Sequence, residues 1–276
     1  MCRLLAYLGP TTSLEKLIIE PDHSLIKQSY QPRELEGALL NADGFGMAWY
    51  HPNQQTEPFL YRNTLPIWND TNLPHLCRYV ESSCVLAYVR SATPGLAVEM
   101  NNCQPFQQGT LTFVHNGFIE QFRRTLYRPI REMLCDRAYQ SIHGMTDSEH
   151  IFALLLHQLE TNPGYSLQDG LQATLTILTQ LAAKHSVKLL ANIVVSDGNH
   201  LVVSRYATAG SAPSLYWLRH HPRFPEAVLV ASEPLFEADW VTCPDPAIIT
   251  VDLNCDLQTH PLKCSTNSSV SIPLAS

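Results

Sequence analysis

Apolar positions divide the chain into a strand-rich first part, a helical middle from about residue 118 to 185, and a strand-rich last part. Residues 2–8 read as a strand that ends at Gly9-Pro10, and a short helix follows over 13–19 until Pro21 stops it. Asn41-Ala42-Asp43-Gly44 is a turn into an apolar strand that reaches Tyr50, with 57–62 as its partner. A helix is expected over 73–80, with Pro74 in its first turn. Cys84-Val85-Leu86-Ala87-Tyr88-Val89 is continuously apolar, as a buried strand is, and it delivers Arg90 at its end. Residues 110–114 form another strand that closes in His115-Asn116-Gly117, where Asn-Gly reads as a tight turn.

Residues 118–134 look largely helical, with a break or kink at Pro129. Thr146 and Glu149 match a capping box ahead of Ile151, Phe152, Leu154, Leu155 and Leu159 at helical spacing. A second helix is expected over 167–185, with Leu171, Leu175, Leu178 and Ala182 along it. Strands then follow at 189–195 and 200–206, joined by the hairpin signal Ser196-Asp197-Gly198-Asn199, and at 214–218, 227–231 and 248–251. The order fits a single α+β domain over residues 2–253, with the polar stretch 254–276 as a C-terminal extension or tail.

Composition narrows the function. Eighteen basic against 25 acidic residues give a net charge of −7, with no basic block longer than Arg123-Arg124, which argues against nucleic acid or anionic membrane as partner. The apolar runs are too short to span a bilayer and no signal-peptide core is visible, so a soluble cytoplasmic protein is expected. Eight cysteines show no CxxC, and twelve histidines show no HxxxH, so neither a metal nor another cofactor is called for.

The candidate chemistry starts at Cys2. Removal of Met1, which a small second residue permits, leaves a thiol and a free α-amine on one residue. That is a nucleophile with its base attached, suited to acyl transfer. The competing account is a buried cysteine on an edge strand. Arg90 sits where a strand meets the loop Ser91-Ala92-Thr93-Pro94-Gly95, either at a site or at a solvated strand end. Asn116 and Gly117 offer a side-chain amide and a backbone N–H to a developing oxyanion, which is compatible with a turn. Asp147 is explained by the helix dipole alone.

Taken in order, Cys2, Arg90-Ser91-Ala92-Thr93, His115-Asn116-Gly117 and Thr146-Asp147-Ser148-Glu149 resemble the glutaminase domain of class II, N-terminal-nucleophile glutamine amidotransferases. Asn41-Ala42-Asp43-Gly44 and Ala231-Ser232-Glu233-Pro234-Leu235 extend the resemblance over most of residues 2–253. It implies an αββα four-layer sandwich of two antiparallel sheets flanked by helices. It also implies Cys2 as nucleophile, Asn116 and Gly117 as oxyanion hole, Arg90 on the substrate α-carboxylate, Asp147 on its α-ammonium, and Thr93 seating the glutamyl group. The chain departs at Ser91, where many members carry tryptophan.

Finer features, among them Pro32-Arg33-Glu34-Leu35-Glu36-Gly37 and Tyr61-Arg62-Asn63-Thr64-Leu65-Pro66-Ile67-Trp68, resemble the ergothioneine-biosynthesis branch. That branch cleaves γ-glutamyl-hercynylcysteine sulfoxide to glutamate and hercynylcysteine sulfoxide. The trimethylammonium group of hercynine suits an aromatic face, so Trp68 and Phe118 are candidates for the leaving-group pocket, against the simpler account that both pack. A glutathione-degrading γ-glutamyl hydrolase and a glutaminase subunit of a two-chain amidotransferase are the alternatives, since the chain has no room for a synthase domain of its own.

Overall fold

The computed structural model describes residues 2–34, 40–51, 57–92, 95 and 97–263. In chain order these form β1 (Arg3–Ser13), α1 (Leu14–Ile18), α2 (Leu25–Tyr30), β2 (Phe45–Trp49), β3 (Phe59–Asn63), α3 (Leu73–Tyr79), β4 (Glu81–Val89), β5 (Phe106–Gln108) and β6 (Leu111–Ile119). There follow α4 (Tyr127–Met133), α5 (Asp136–Gln140), α6 (Asp147–Thr161), α7 (Leu167–His185), β7 (Leu189–Ser196), β8 (Leu201–Arg205), β9 (Tyr216–His221), β10 (Phe224–Ala231), β11 (Val241–Thr242), β12 (Ala247–Val251) and β13 (Leu257–Pro261).

The strands make two antiparallel sheets: β11-β9-β10-β1-β4-β2-β3 and β13-β12-β8-β7-β6-β5. Side-chain alternation assigns each face. On β1, Leu4, Ala6 and Leu8 join Leu86 and Tyr88 of β4 and Val114, Val194 and Val203 of the second sheet in a layer between the sheets. Leu5 and Tyr7 face the other way, onto Leu14, Leu17 and Ile18 of α1, Leu25 of α2, and Leu73 and Cys77 of α3. On the far side, Phe113, Ile193 and Val195 bury against Ile151, Leu155, Leu171, Leu175 and Leu178 of α6 and α7. Four layers, αββα, result. Each central strand is covered on both faces, which is why its sequence is a continuous apolar run rather than an alternation.

Several expectations are corrected. Asn116-Gly117 is not a turn: β6 continues to Ile119 and pairs Asn116 with Asn192 and Gly117 with Ala191. A Cβ on Gly117 would stand 1.9 Å from the carbonyl oxygen of Leu190, so this glycine serves close strand packing. Residues 118–134 are therefore less helical than expected. Phe118 and Ile119 complete β6, a 3-10 turn covers Phe122–Arg124, and Pro129 sits in the first turn of α4, where a missing N–H costs nothing. Gly9-Pro10 does not end β1, which passes through a register shift between Leu8 and Thr12 and runs on to Ser13. The capping box of α6 is half made. Thr146 accepts from the N–H of Glu149, but the Glu149 carboxylate accepts instead from the N–H groups of His143 and Gly144, at 2.8 and 2.7 Å. The full box belongs to α7, between Ser166 and Asp169. Past residue 253, β13 folds back on β12, so the second sheet extends into the stretch expected as an extension; residues 264–276 lie outside the described part.

Candidate active site

Cys2 immediately precedes β1 and packs, half-buried, against the layer between the sheets. Its sulfur accepts from the N–H of Ser91 at 3.3 Å and lies 3.5 Å from the Ser91 carbonyl oxygen. Its carbonyl accepts from Nη1 of Arg3 at 2.9 Å. Arg3 points to the opposite face of the sheet and is fully buried. Its Nε lies 2.8 Å from Oε1 of Glu233, close enough for a charge pair although Nε is not aligned as a hydrogen-bond donor. The same carboxylate takes Nε2 of His23 at 2.7 Å and the backbone N–H groups of Arg33 and Glu34 at 2.9 and 3.1 Å. Burial works to raise the Glu233 carboxyl, but the His23 and backbone hydrogen bonds and the Arg3 charge outweigh it and hold it at about 2.

Arg90 ends β4 and is buried. Its N–H donates to the carbonyl of Gly44 at 2.8 Å and its Nη1 to that of Asp43 at 3.3 Å, while Asp43 Oδ2 accepts from the N–H of Ala92 at 2.8 Å. The Asn41–Gly46 segment is therefore the strap that fixes the Arg90 loop. Gly44 is required there, with φ at +111° and a Cβ position 2.7 Å from the sulfur of Cys103.

Asn116 is on the inner face of β6, fully buried. Its Nδ2 lies 3.4 Å from Oγ of Ser232 and its Oδ1 has no partner. Behind it His115 faces α6. Nε2 donates to the Leu190 carbonyl at 2.9 Å, so Nδ1 must accept from the Ser148 hydroxyl, also at 2.9 Å. Burial pushes the pKa of this histidine down and keeps it neutral. Gln104 grips the backbone of His115 from the other side, accepting from its N–H at 2.6 Å and donating to its carbonyl at 3.0 Å, so a side-chain amide prolongs the ladder where β5 stops.

Asp147, the first residue of α6, accepts from the N–H of Ile119 at 2.8 Å and of Ser148 at 2.8 Å, which joins the helix to the end of β6. Tyr88, on the inner face of β4 two residues before Arg90, is buried, and burial lifts its phenol well above the usual range. Phe118 is half-buried at the end of β6. Trp68 is 39% exposed in a 3-10 turn of the outer layer and meets the edge of Tyr30 at 5.7 Å. Thr93 lies outside the described residues. Tyr88, Ser232 and the Arg3–Glu233 pair were not singled out from sequence; only the position of Ser232-Glu233 in a motif-bearing strand could have pointed to the last two.

Among the described residues no group of three His, Cys, Asp or Glu side chains is placed to hold a metal, and no helix is long and apolar enough to cross a membrane.

Two packed antiparallel sheets with helices outside, and a cysteine at the head of a central strand packed on the layer between the sheets, onto which a buried Asn of the opposing sheet also opens, define an N-terminal-nucleophile type of fold. Comparison with known proteins gives the family. Residues 17–235 match the model of class-II glutamine amidotransferases. The chain is 33% identical to the probable glutamine amidotransferase DUG3 of Saccharomyces cerevisiae, over 95% of this chain and 84% of that one. It is 32% identical to the gamma-glutamyl-hercynylcysteine sulfoxide hydrolase of Mycobacterium tuberculosis, over 91% and 93%. The solved structure of a glutamine aminotransferase class-II domain protein from Silicibacter pomeroyi superposes with a TM-score of 0.69 at 27% identity, over 95% of this chain and all of that one. The chain belongs to the class II glutamine amidotransferase family.

Proposed function

We propose that the chain hydrolyses a γ-glutamyl amide through a thioester on Cys2. What supports this is the placement of Cys2 just ahead of β1 with its sulfur on the N–H of Ser91, next to the buried Arg90 that ends β4, and of the buried Asn116 on the opposing sheet. A γ-glutamyl group bears an anionic carboxylate and a cationic amine on one carbon, so it needs a base and an acid held apart, with the nucleophile a side chain's length away. In this scheme Arg90 takes the carboxylate by a planar two-point contact, Asp147 takes the ammonium, and Thr93 helps seat the chain between them. With Met1 removed, the α-amine of Cys2 accepts the thiol proton and the thiolate attacks the γ-carbonyl carbon. Negative charge forms on the carbonyl oxygen, where Asn116 and Gly117 donate. Collapse breaks the C–N bond, the α-ammonium returns its proton to the departing amine, and water then cleaves the thioester to release glutamate and free Cys2.

For the amide itself, the similarity to the mycobacterial hydrolase supports γ-glutamyl-hercynylcysteine sulfoxide, with Phe118 and Trp68 offered as aromatic faces for the leaving group's trimethylammonium. The equally close yeast relative, a probable glutamine amidotransferase, supports a second reading, in which the chain releases ammonia from glutamine for a partner; cleavage of glutathione is a third. A side-by-side assay of the sulfoxide, glutathione and glutamine decides between them, with Cys2→Ala as control. Turnover of the sulfoxide well above the other two is expected; faster glutathione or glutamine hydrolysis overturns the substrate assignment, and activity surviving in Cys2→Ala overturns the mechanism. Intact mass of the active protein is expected to lack Met1, because an acylated α-amine could not move the proton.

A further inference from the structure

Ser232 follows β10 and is fully buried on the face turned toward the second sheet. Its N–H donates to the carbonyl of Leu4 and its Oγ accepts from the N–H of Leu4, each at 3.0 Å, so it is locked to the strand that begins with the nucleophile. The same oxygen is 3.4 Å from the Asn116 amide on the opposing sheet. With Nδ2 on Ser232, the oxygen receives two N–H groups, the hydroxyl proton has no acceptor among the described residues, and Asn116 Oδ1 is left buried and bare. Asn192, directly across from Asn116, spends its Nδ2 on the carbonyls of Pro213 and Ser214, at 2.9 and 3.3 Å, and its own Oδ1 is bare as well. Buried side-chain oxygens with no donor are costly in a dry layer.

A half-turn of the Asn116 amide resolves the defects at Ser232 and Asn116. Oδ1 then accepts the Ser232 proton, Ser232 Oγ still accepts from Leu4, and Nδ2 with both hydrogens is turned away from Ser232. Nitrogen and oxygen are nearly the same size, so the turn needs no repacking.

We propose that Ser232 is a positioning residue for catalysis, holding Asn116 with Oδ1 on its hydroxyl so that Nδ2 is aimed at the oxyanion formed on Cys2's substrate. A single hydroxyl thereby links the nucleophile's strand to the oxyanion donor across the two sheets. This rests on the assignment of Asn116 as oxyanion donor, and the test separates the two.

Ser232→Ala, Asn116→Asp and the double variant are assayed on whichever of the three γ-glutamyl amides is turned over fastest. Alkylation of Cys2 by iodoacetamide, followed by peptide mass spectrometry, reports in parallel on the thiol and the fold. Asp at 116 keeps an acceptor for Ser232 and loses the donor. Ser232→Ala is expected to lower kcat about ten- to a hundredfold, less than deletion of a whole oxyanion donor at about 10²–10³. KM should stay within about threefold and Cys2 alkylation within about twofold, and adding Ser232→Ala to Asn116→Asp should cost nothing further. An unchanged kcat in Ser232→Ala, losses that multiply in the double variant, or alkylation falling in step with kcat would each overturn the role of Ser232. Full kcat in Asn116→Asp would overturn the oxyanion assignment itself.

Discussion

Glu233→Gln tests the charge pair that anchors the nucleophile's strand. In the native protein the Glu233 carboxylate receives Arg3, His23 and two backbone N–H groups while fully buried, and it titrates at about 2 against an ordinary 4.5. That difference contributes about 3 kcal/mol at neutral pH. The desolvation that lowers the Arg3 pKa opposes part of it, but Arg3 keeps its charge across the acid range and adds no slope there. The sign follows from the depressed carboxyl: its stabilisation is complete above about pH 4.5 and disappears as pH falls toward 2. Gln keeps the shape and removes the charge, leaving Arg3 buried without a counter-ion, which costs about 3–5 kcal/mol. Urea unfolding followed by tryptophan fluorescence at pH 7, 5, 4, 3 and 2.5 should show that gap at pH 7 and see it narrow below about pH 4.5, as the wild type loses the charge the variant never had. Arg3→Met combined with Glu233→Met should recover part of the loss, since removing both charges leaves none unpaired. A gap that stays constant with pH, or a double Met variant less stable than Glu233→Gln, would refute the pairing.

Other consequences are simpler to read. Burial drives His150 down to about 4 while its Nδ1 donates to the Thr146 carbonyl and its Nε2 accepts from Arg131; stability should fall as pH drops from about 6.5 to 4, by about 3 kcal/mol, and His150→Gln should flatten that slope in urea titrations. Gly117→Ala drives a Cβ against the Leu190 carbonyl at 1.9 Å, so it should lose about 3 kcal/mol or more, visible as a lowered Tm or insoluble protein; a wild-type Tm would contradict the strand packing. Thr146→Ala removes the acceptor for the Glu149 N–H and should cost about 1 kcal/mol in thermal denaturation. Arg90→Lys keeps the charge but not the planar fork, so KM for a γ-glutamyl amide should rise about tenfold or more with kcat less affected, and equal KM values would remove Arg90 from the substrate carboxylate.

The elements most legible in the sequence are those whose signal is local. Helix α7 occupies residues 167–185 as its periodicity predicts, because its Leu171, Leu175 and Leu178 stripe and its Ser166 cap act within one segment. The hairpin at Ser196–Asn199 is also local, with Asp197 Oδ1 accepting from the N–H groups of Asn199 and His200 at 2.9 and 2.8 Å. What misled is non-local. Asn116-Gly117 carries turn chemistry, yet pairing with Asn192 and Ala191 across the sheet overrides it. Glu149 has the spacing of a capping partner, yet the N–H groups of His143 and Gly144 compete for its carboxylate and win.

The candidate site divides along the same line. Cys2, Arg90, Asn116 and Asp147 stand out because each is a polar group where an apolar run begins or ends. Their supports do not stand out, because a support is defined by what it touches in another segment. Cys2 and Arg3 are adjacent, and so are Ser232 and Glu233 just past the end of β10 beside them; the alternation of the strands sends the first of each pair toward the opposing sheet and the second toward the helices. The inward pair meets the chemistry: a thiol, and a hydroxyl on the Asn116 amide. The outward pair is a buried ion pair that cannot slip by one residue without exchanging faces with it. The charge pair thus sets the register in which thiol and hydroxyl both face the opposing sheet, and a one-residue slip of β1 against β10 would cost the buried pair and the site together.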